Sequence, residues 1–188
     1  YVVLMADVYG TGVRPTNAQE AGQAAGTVRG DRLGIMRPRA QMALDALQGF
    51  DDAPLDNDAL AAIGFCFGGG TVLELGRTGA DLDVIVSFHG DLASPTLDEA
   101  GETRAEVLVL HGADDPYVPK ADVDAFMAAY QPTDVDLTFV SFANTVHSFT
   151  DPQANAPGQA DYQPESAERA FELMEEWFEE AFEDDDDD

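Results

Sequence analysis

The chain has 188 residues, of which 45% are hydrophobic and 24% are charged, proportions that are ordinary for one globular domain with a sizeable core. Its charge is unusual, because the chain has 37 Asp and Glu but only nine Lys and Arg, and its formal net charge is -28. This charge excludes duplex nucleic acid and anionic membranes as natural partners, since proteins bind both through Lys and Arg. The sequence has no apolar run of the roughly 20 residues that a membrane helix needs, no basic-then-apolar signal segment at its start, and only one cysteine, which excludes an internal disulfide framework.

The first third of the chain predicts two strands and a helix. Residues 2–6 are continuously apolar and predict a buried strand, and residues 7–15 contain turn-forming glycines and prolines and predict a loop. Residues 31–47 carry apolar side chains at helical spacing and predict a helix that Pro38 can kink. A second continuous apolar run, at residues 60–65, predicts another buried strand.

The rest of the chain alternates between helical and strand patterns. Helices are predicted to include residues 71–75 and to span 121–130 and 166–182. Buried strands are predicted at residues 84–88 and 107–110, a more exposed strand at 135–142, and a polar loop at 152–164. This alternation predicts one α/β domain over residues 1–183, with a mostly parallel sheet flanked by helices. The five aspartates at 184–188 predict a solvated acidic tail.

A glycine-rich turn between the second strand and its helix carries the first candidate for chemistry. Residues 64–68 fit the pattern G-x-nucleophile-x-G, with Cys66 where serine is usual. A nucleophile on such a tight turn has a strained backbone, and we expect Gly64 and Gly68 to avoid side-chain clashes beside it. The helix N-terminus lowers a thiol pKa, and the backbone N–H of Phe67 is placed to bind a developing oxyanion. The alternative is that Cys66 is a small buried hydrophobic residue.

Two later segments supply a candidate acid and a candidate base. Asp114 and Asp115 follow the strand at 107–110, and active sites of parallel sheets form at the carboxyl ends of their strands. His147 lies in the loop between the last strand and the last helix, so the chain order is nucleophile, acid, histidine, as in α/β-hydrolases. His147 would take the thiol proton and return it to the leaving group, while the acid holds the imidazole tautomer. The pattern alone leaves Asp114 and Asp115 both open for the acid role.

The other two histidines, His89 and His111, each precede a glycine at a strand end. We expect each to be structural or to line a pocket rather than to act as the base. Because the three histidines and the single cysteine are scattered along the sequence, we predict no metal site. Aromatic residues beside the motifs could line a substrate pocket together with His89, although they could equally belong to the core: Phe65, Phe88, Tyr117 and Phe149.

These segments resemble the dienelactone hydrolase family. The shared runs are residues 6–10, 64–69, 87–90, 111–119 and 147–150, and a cysteine in the elbow is quite specific, since most α/β-hydrolases have serine there. The resemblance implies an α/β-hydrolase-type fold and a triad that falls on Cys66, Asp115 and His147. It also implies hydrolysis of lactones and small activated esters without a cofactor.

The sequence departs from the family pattern in two places. The family normally has a strand-helix-strand portion before the segment that matches residues 1–10, and this portion supplies a second oxyanion N–H and an acidic residue near the resting thiol. We therefore expect either that the sequence is part of a longer chain or that activity is impaired. Members that act on dienelactone carry an arginine four residues after the histidine, where this chain has Asp151. An acidic group there repels an anionic substrate, so dienelactone itself is not the expected substrate.

Three functions follow as hypotheses. The leading one is a carboxylic ester or lactone hydrolase that forms an acyl-thioenzyme on Cys66. The alternatives are a non-catalytic protein that keeps the fold and a redox-sensing thiol, although no second cysteine is present to resolve an oxidised one. The expected partner is a small molecule, and homo-oligomerisation stays open.

The composition also predicts the protein's surroundings. The basic residues are eight Arg and one Lys, and Asp outnumbers Glu by 24 to 13. In about 1 M salt the Debye length is roughly 3 Å, so surface carboxylates stop repelling one another, whereas at low salt they weaken the fold. Without its five terminal aspartates the chain would still carry a charge of -23, which favours a salt-adapted cytoplasmic protein over a merely acidic one with an acidic tail.

Overall fold

The computed structural model describes residues 1–50, 52 and 54–183 of the chain. Two compact units are present, one over residues 1–57 and one that begins at Asp58. The single domain over residues 1–183 stays a prediction, and the predicted acidic tail at 184–188 lies outside the described residues. No helix in the described part of the chain is long and apolar enough to cross a membrane.

The first unit contains helices α1 (Ala18–Arg29) and α2 (Arg37–Gln48), joined through a π-helical turn at Arg32–Met36. Helix α1 begins at Asn17, whose side chain accepts a hydrogen bond from the backbone N–H of Glu20. Sequence analysis did not predict this helix. The helix predicted over 31–47 is present as the π turn followed by α2, and Pro38 lies in the first turn of α2, directly after the π turn. The helical stretch therefore changes from π to α hydrogen bonding beside Pro38, and the predicted kink stays a prediction.

The predicted buried strand at residues 2–6 is wrong. These residues belong to no strand, and their side chains are exposed, with Val3 at 78% and Met5 at 95%. A β-strand needs a neighbour to accept its backbone hydrogen bonds, and none of the strands in the described residues pairs with this segment. The predicted loop at 7–15 is confirmed: the Asp7 carboxylate accepts the Gly10 N–H at 3.0 Å.

The second unit is built on a four-stranded parallel sheet in the order β1-β2-β3-β4, which confirms the predicted α/β architecture. Its strands are β1 (Ala61–Phe65), β2 (Val84–Phe88), β3 (Glu106–Gly112) and β4 (Leu137–Phe142). The helices that flank it are α3 (Phe67–Gly76), α4 (Lys120–Tyr130) and α5 (Pro164–Glu183), and a 3-10 turn covers Leu97–Glu102. The predicted polar loop at 152–164 contains a small antiparallel hairpin, formed by β5 (Asn155–Ala156) and β6 (Ala160–Asp161).

The core of this unit lies between the two central strands and the apolar side of α5. Its buried members are Val84, Val86, Phe88, Leu108, Leu110, Phe149, Ala170 and Phe178. Strand β1 pairs only with β2 in the described sheet, so its side chains stay partly open and Ile63 is 41% exposed. The strand predicted at residues 60–65 is present, but the prediction that it is buried is only partly right. An apolar sequence shows that a strand can be buried, and it does not show that other elements cover both of its faces.

Candidate active site

Cys66 occupies a sharp turn between β1 and α3. Its φ of 52° and ψ of -117° lie in a region that L-residues rarely adopt, as expected for a nucleophile on a strand-to-helix turn. A Cβ on Gly64 would overlap the backbone of Gly68, so position 64 requires glycine. A Cβ on Gly68 would meet nothing within 4 Å, so the clash predicted for that glycine is wrong. The backbone of Gly68, and not its missing side chain, is what crowds the turn.

The Cys66 thiol lies against a histidine that sequence analysis did not assign to it. The sulfur is 3.3 Å from Nδ1 of His89 and 3.5 Å from Oγ of Ser148. Nε2 of His89 lies 2.8 Å from Oγ1 of Thr150, which fixes the ring from its far side. Both His89 (φ 39°) and Ser148 (φ 55°) have left-handed backbones. Such strain in non-glycine residues concentrates at functional sites, and here it turns both side chains toward the sulfur.

A buried carboxylate orients the third side chain. Oδ2 of Asp115 lies 2.7 Å from Nδ1 of His147, and Oδ1 of Asp115 accepts the Tyr117 N–H at 2.8 Å. The hairpin that follows holds the loop in place, because the His147 N–H donates to Gln159 and its carbonyl accepts from Asp161. The Asp115 side chain is fully buried in this ion pair. Asp114 is exposed, so the structure pairs His147 with Asp115 and not with its neighbour.

The ionisation of these groups follows from their mutual contacts. Burial raises the pKa of the Cys66 thiol, but hydrogen bonds to His147 and His89 and the charges of both rings outweigh it, and the pKa falls to about 5. Burial lowers the pKa of His147, but Asp115 and Cys66 outweigh it and raise that pKa to about 9. Burial opposes the ionisation of Asp115, but its bonds to His147 and Tyr117 lower its pKa. At neutral pH the site therefore holds a thiolate beside an imidazolium.

The remaining predicted site residues fall into two groups. Phe65 and Tyr117 are 40% and 58% exposed, and the Tyr117 ring meets the His147 ring edge-on at 5.1 Å, so both can contact a substrate. Phe88 and Phe149 have no exposed surface and belong to the hydrophobic core, so their prediction as pocket-lining residues is wrong in this structure.

The structure also places the residues with secondary roles. His111 is buried against Phe139, as expected of a structural histidine, and burial lowers its pKa. Phe67, whose N–H is the predicted oxyanion donor, is the first residue of α3 and directly follows Cys66. Asp151 is exposed three residues beyond Ser148.

The prediction that the histidines and the cysteine form no cluster is wrong for two of the three histidines. Ligand atoms of Cys66, His89 and His147 all lie within 4.8 Å of one another. The reason is the parallel sheet: Phe65 and Phe88 are register partners at the ends of β1 and β2, so the next residues, Cys66 and His89, emerge side by side. The signal that could have revealed this cluster was the position of each residue after the carboxyl end of a strand.

The chain is similar to proteins of one hydrolase family. The sequence profile of the dienelactone hydrolase family matches residues 1–182. An uncharacterised protein of Caenorhabditis elegans is 34% identical over 161 residues, which are 81% of this chain and 98% of that protein. A Yersinia pestis protein, named as a candidate carboxymethylenebutenolidase, is 26% identical over 131 residues. These residues make up 65% of this chain but only about half (47%) of the Yersinia pestis protein. A crystal structure of a dienelactone hydrolase-like promiscuous phosphotriesterase from metagenomic libraries is 40% identical, with a TM-score of 0.84 over 94% of this chain and 73% of that one.

The parallel sheet, the flanking helices and these structural neighbours define an α/β-hydrolase-type protein. The match over nearly the whole sequence then shows that the chain belongs to the dienelactone hydrolase family. It is accordingly a hydrolase, and the family implies a small-molecule substrate. The resemblance found in the sequence motifs is thereby confirmed.

Proposed function

We propose that this chain hydrolyses carboxylic esters or lactones with Cys66 as nucleophile, His147 as acid and base, and Asp115 as the residue that orients His147. The observation that carries the proposal is the 2.7 Å contact of Nδ1 of His147 with buried Asp115, on a ring whose ligand atoms lie within 4.8 Å of the thiol. A carboxylate buried against an imidazole beside a strained cysteine is the arrangement that catalysis by an activated thiol requires.

The first half of the reaction forms an acyl-thioenzyme. The Cys66 thiolate attacks the carbonyl carbon, a sulfur–carbon bond forms, and the carbonyl electron pair moves onto oxygen. The N–H of Phe67 donates a hydrogen bond to this oxyanion. When the carbonyl re-forms, the bond to the leaving alkoxide breaks, and Nε2 of the His147 imidazolium gives the alkoxide its proton.

The second half releases the acid. Neutral His147 takes a proton from water, and the resulting hydroxide attacks the thioester carbon. Collapse of the second tetrahedral intermediate breaks the sulfur–carbon bond and returns the thiolate, which a protonated His147 again stabilises. Asp115 holds the ring by its Nδ1 proton throughout and does not itself become protonated.

The charge around the site favours neutral or cationic substrates. Asp151 stands where members that act on dienelactone carry an arginine, and the net charge of -28 repels anions at low salt. Two relatives bear on the substrate class: one is named for a lactone hydrolase, and one structural neighbour is titled a promiscuous phosphotriesterase. A neutral activated ester is therefore the first substrate to test, and a neutral phosphotriester the second.

The test is hydrolysis of p-nitrophenyl acetate in about 2 M KCl, where surface charge is screened. We expect steady turnover from the wild type and none above background from Cys66→Ala, with circular dichroism showing that the variant is folded. Turnover by the variant equal to that of the wild type would show that Cys66 is not the nucleophile. A folded wild type that hydrolyses neither a carboxylic ester nor a phosphotriester would favour a non-catalytic protein.

A further inference from the structure

We propose that Cys66, His89 and His147 form a binding site for a thiophilic divalent ion such as Zn²⁺, and that an ion bound there blocks hydrolysis. The binding half of this inference stands on the geometry of the three side chains. The inhibitory half rests on the proposed function, because the ion would occupy the same thiolate and imidazole that the reaction uses.

The distances between the three side chains suit a small ion. In tetrahedral zinc sites, with Zn–S of about 2.3 Å and Zn–N of about 2.0–2.1 Å, ligand atoms are about 3.4–3.6 Å apart. Sγ of Cys66 and Nδ1 of His89 are already 3.3 Å apart, and the whole set lies within 4.8 Å. Side-chain movements on the order of 1 Å would bring all three atoms to bonding distance of one ion.

Each of the two histidine rings is held by a partner on one of its nitrogens. Nδ1 of His147 bonds Asp115 and Nε2 of His89 bonds Thr150. The ion would therefore bind Nδ1 of His89 and Nε2 of His147, where it would displace the proton that Nε2 carries at neutral pH. Such partners on the far nitrogen are the usual support of metal-bound histidine. Nδ1 of His89 also receives the Cys66 N–H at 3.2 Å, but that N–H has a second acceptor, the carbonyl of Phe88, at 3.1 Å. The N–H therefore keeps a partner when the lone pair of Nδ1 turns to a metal.

The donor set selects the kind of ion. One thiolate and two imidazoles suit Zn²⁺ and other borderline or soft transition metals, whereas Mg²⁺ and Ca²⁺ require oxygen ligands. The thiolate and the carboxylate of Asp115 place negative charge in and behind the site, which favours a divalent cation. Three protein ligands leave a fourth position for water. The ion takes the thiolate electron pair and the Nε2 lone pair of His147, so neither nucleophile nor base remains, and Zn²⁺ inhibits.

The experiment measures binding directly in metal-stripped protein, by competition with a chromophoric chelator in about 1 M KCl, which suppresses loose binding to surface carboxylates. Co²⁺ serves as a second probe, because a thiolate ligand gives it a charge-transfer absorption. We expect one tight ion per chain, loss of this binding and of the absorption in Cys66→Ala, and at least about tenfold weaker binding in His89→Asn. His111→Asn is the matched control, since it removes a buried histidine outside the cluster and should bind zinc as the wild type does.

A second pair of variants tests the support for His89 without removing any ligand. Thr150→Val deletes the hydroxyl beside Nε2 and should weaken Zn²⁺ binding about 10- to 100-fold, whereas Thr150→Ser keeps the hydroxyl and should bind zinc as the wild type does. This pair keeps the test informative if His89→Asn fails to fold. Equal affinity in the Val and Ser variants would show that the hydroxyl does not position a metal ligand.

Binding and hydrolysis are read separately, so the two proposals can fail independently. A wild type that hydrolyses esters but binds no zinc, or that binds it equally well as Cys66→Ala, overturns the metal site and leaves the proposed function intact. A wild type that binds zinc as described but hydrolyses no ester when metal-free supports the site and overturns the inhibition together with the proposed function. Zinc-loaded protein that turns over as fast as the metal-free form overturns the inhibition alone.

Discussion

Replacement of Asp115 by asparagine tests the site most directly, because the chain offers a neighbouring aspartate as a control. Asparagine keeps an oxygen for the N–H of Tyr117 but removes the negative charge 2.7 Å from Nδ1 of His147. The variant should therefore fold, while its imidazolium loses the partner that stabilises it.

The size of the effect follows from the ionisation of His147. Asp115 and Cys66 together raise the pKa of His147 from 6.5 to about 9. A hydrogen bond between charged groups contributes on the order of 1 to 3 kcal/mol, so loss of the carboxylate should cost the imidazolium about that much stabilisation. The corresponding fall in kcat/KM is roughly 10- to 100-fold, since each 1.36 kcal/mol changes a rate tenfold.

The assay is kcat/KM for p-nitrophenyl acetate at neutral pH, with Asp114→Asn measured beside Asp115→Asn. Asp114 is exposed and lies outside the pair, so its variant should keep activity close to that of the wild type. If both variants lose the same activity, or if Asp114→Asn loses more, the orienting role of Asp115 is refuted.

Three further predictions follow from the same geometry. In metal-free protein, the rate at which iodoacetamide alkylates Cys66 should stay high down to about pH 5 and fall at lower pH, because the thiolate is then protonated. The value of kcat/KM should fall above about pH 9, because His147 loses the proton that it gives to the leaving group. An alkylation rate that already falls near the ordinary pKa of a thiol would contradict a thiolate at neutral pH. Gly64→Ala should lower the Tm by several degrees or prevent folding because its Cβ overlaps a backbone, whereas Gly68→Ala meets open space and should change the Tm little; equal effects would contradict the geometry of the turn. The unfolding free energy should rise with KCl up to about 2 M, because the net charge of -28 is screened, and a constant value would refute salt adaptation.

The sequence predicted the central strands well because both of their faces are covered. The mostly apolar segment at 84–88 is β2 (Val84–Phe88) and the apolar run at 107–110 is part of β3 (Glu106–Gly112), both buried as expected. The apolar run at 2–6 is paired with no strand among the described residues, and it is exposed. An apolar run therefore predicts a strand only where a neighbour completes its hydrogen bonds.

Helix α1 (Ala18–Arg29) was missed for the opposite reason. Its sequence is dominated by alanine, glycine and glutamine, and only Ala25 and Val28 are buried, so it has little apolar periodicity to detect. What defines its start is local: the Asn17 side chain accepts the Glu20 N–H, and the Glu20 carboxylate in turn accepts the Thr16 N–H. A capping pattern was present in the sequence where a hydrophobic pattern was not.

The role of His89 could not be predicted because it depends on register and backbone strain. The motif placed His89 at the end of a strand, but its contact with Cys66 requires that Phe65 and Phe88 be parallel partners and that both following residues adopt positive φ. The register leaves no mark in residue type, and cysteine is not favoured at positive φ, although histidine is one of the residues enriched there. The pairing of Asp115 with His147 was more accessible, because the motif order leaves only Asp114 and Asp115 for the acid role and the family resemblance places that role on Asp115.

One feature, the cysteine at position 66, joins the proposed catalysis to the proposed metal site. A serine hydroxyl stays protonated until His147 removes its proton during attack, and it is a poor ligand for a borderline-soft ion. The Cys66 thiol is ionised in advance, because the two histidines lower its pKa to about 5. That ionised sulfur is at once a ready nucleophile and a ready ligand, and the rings that stabilise it are the ones that complete a metal's coordination. A site that activates a thiol with two histidines is therefore exposed to thiophilic ions by the same contacts that make it reactive.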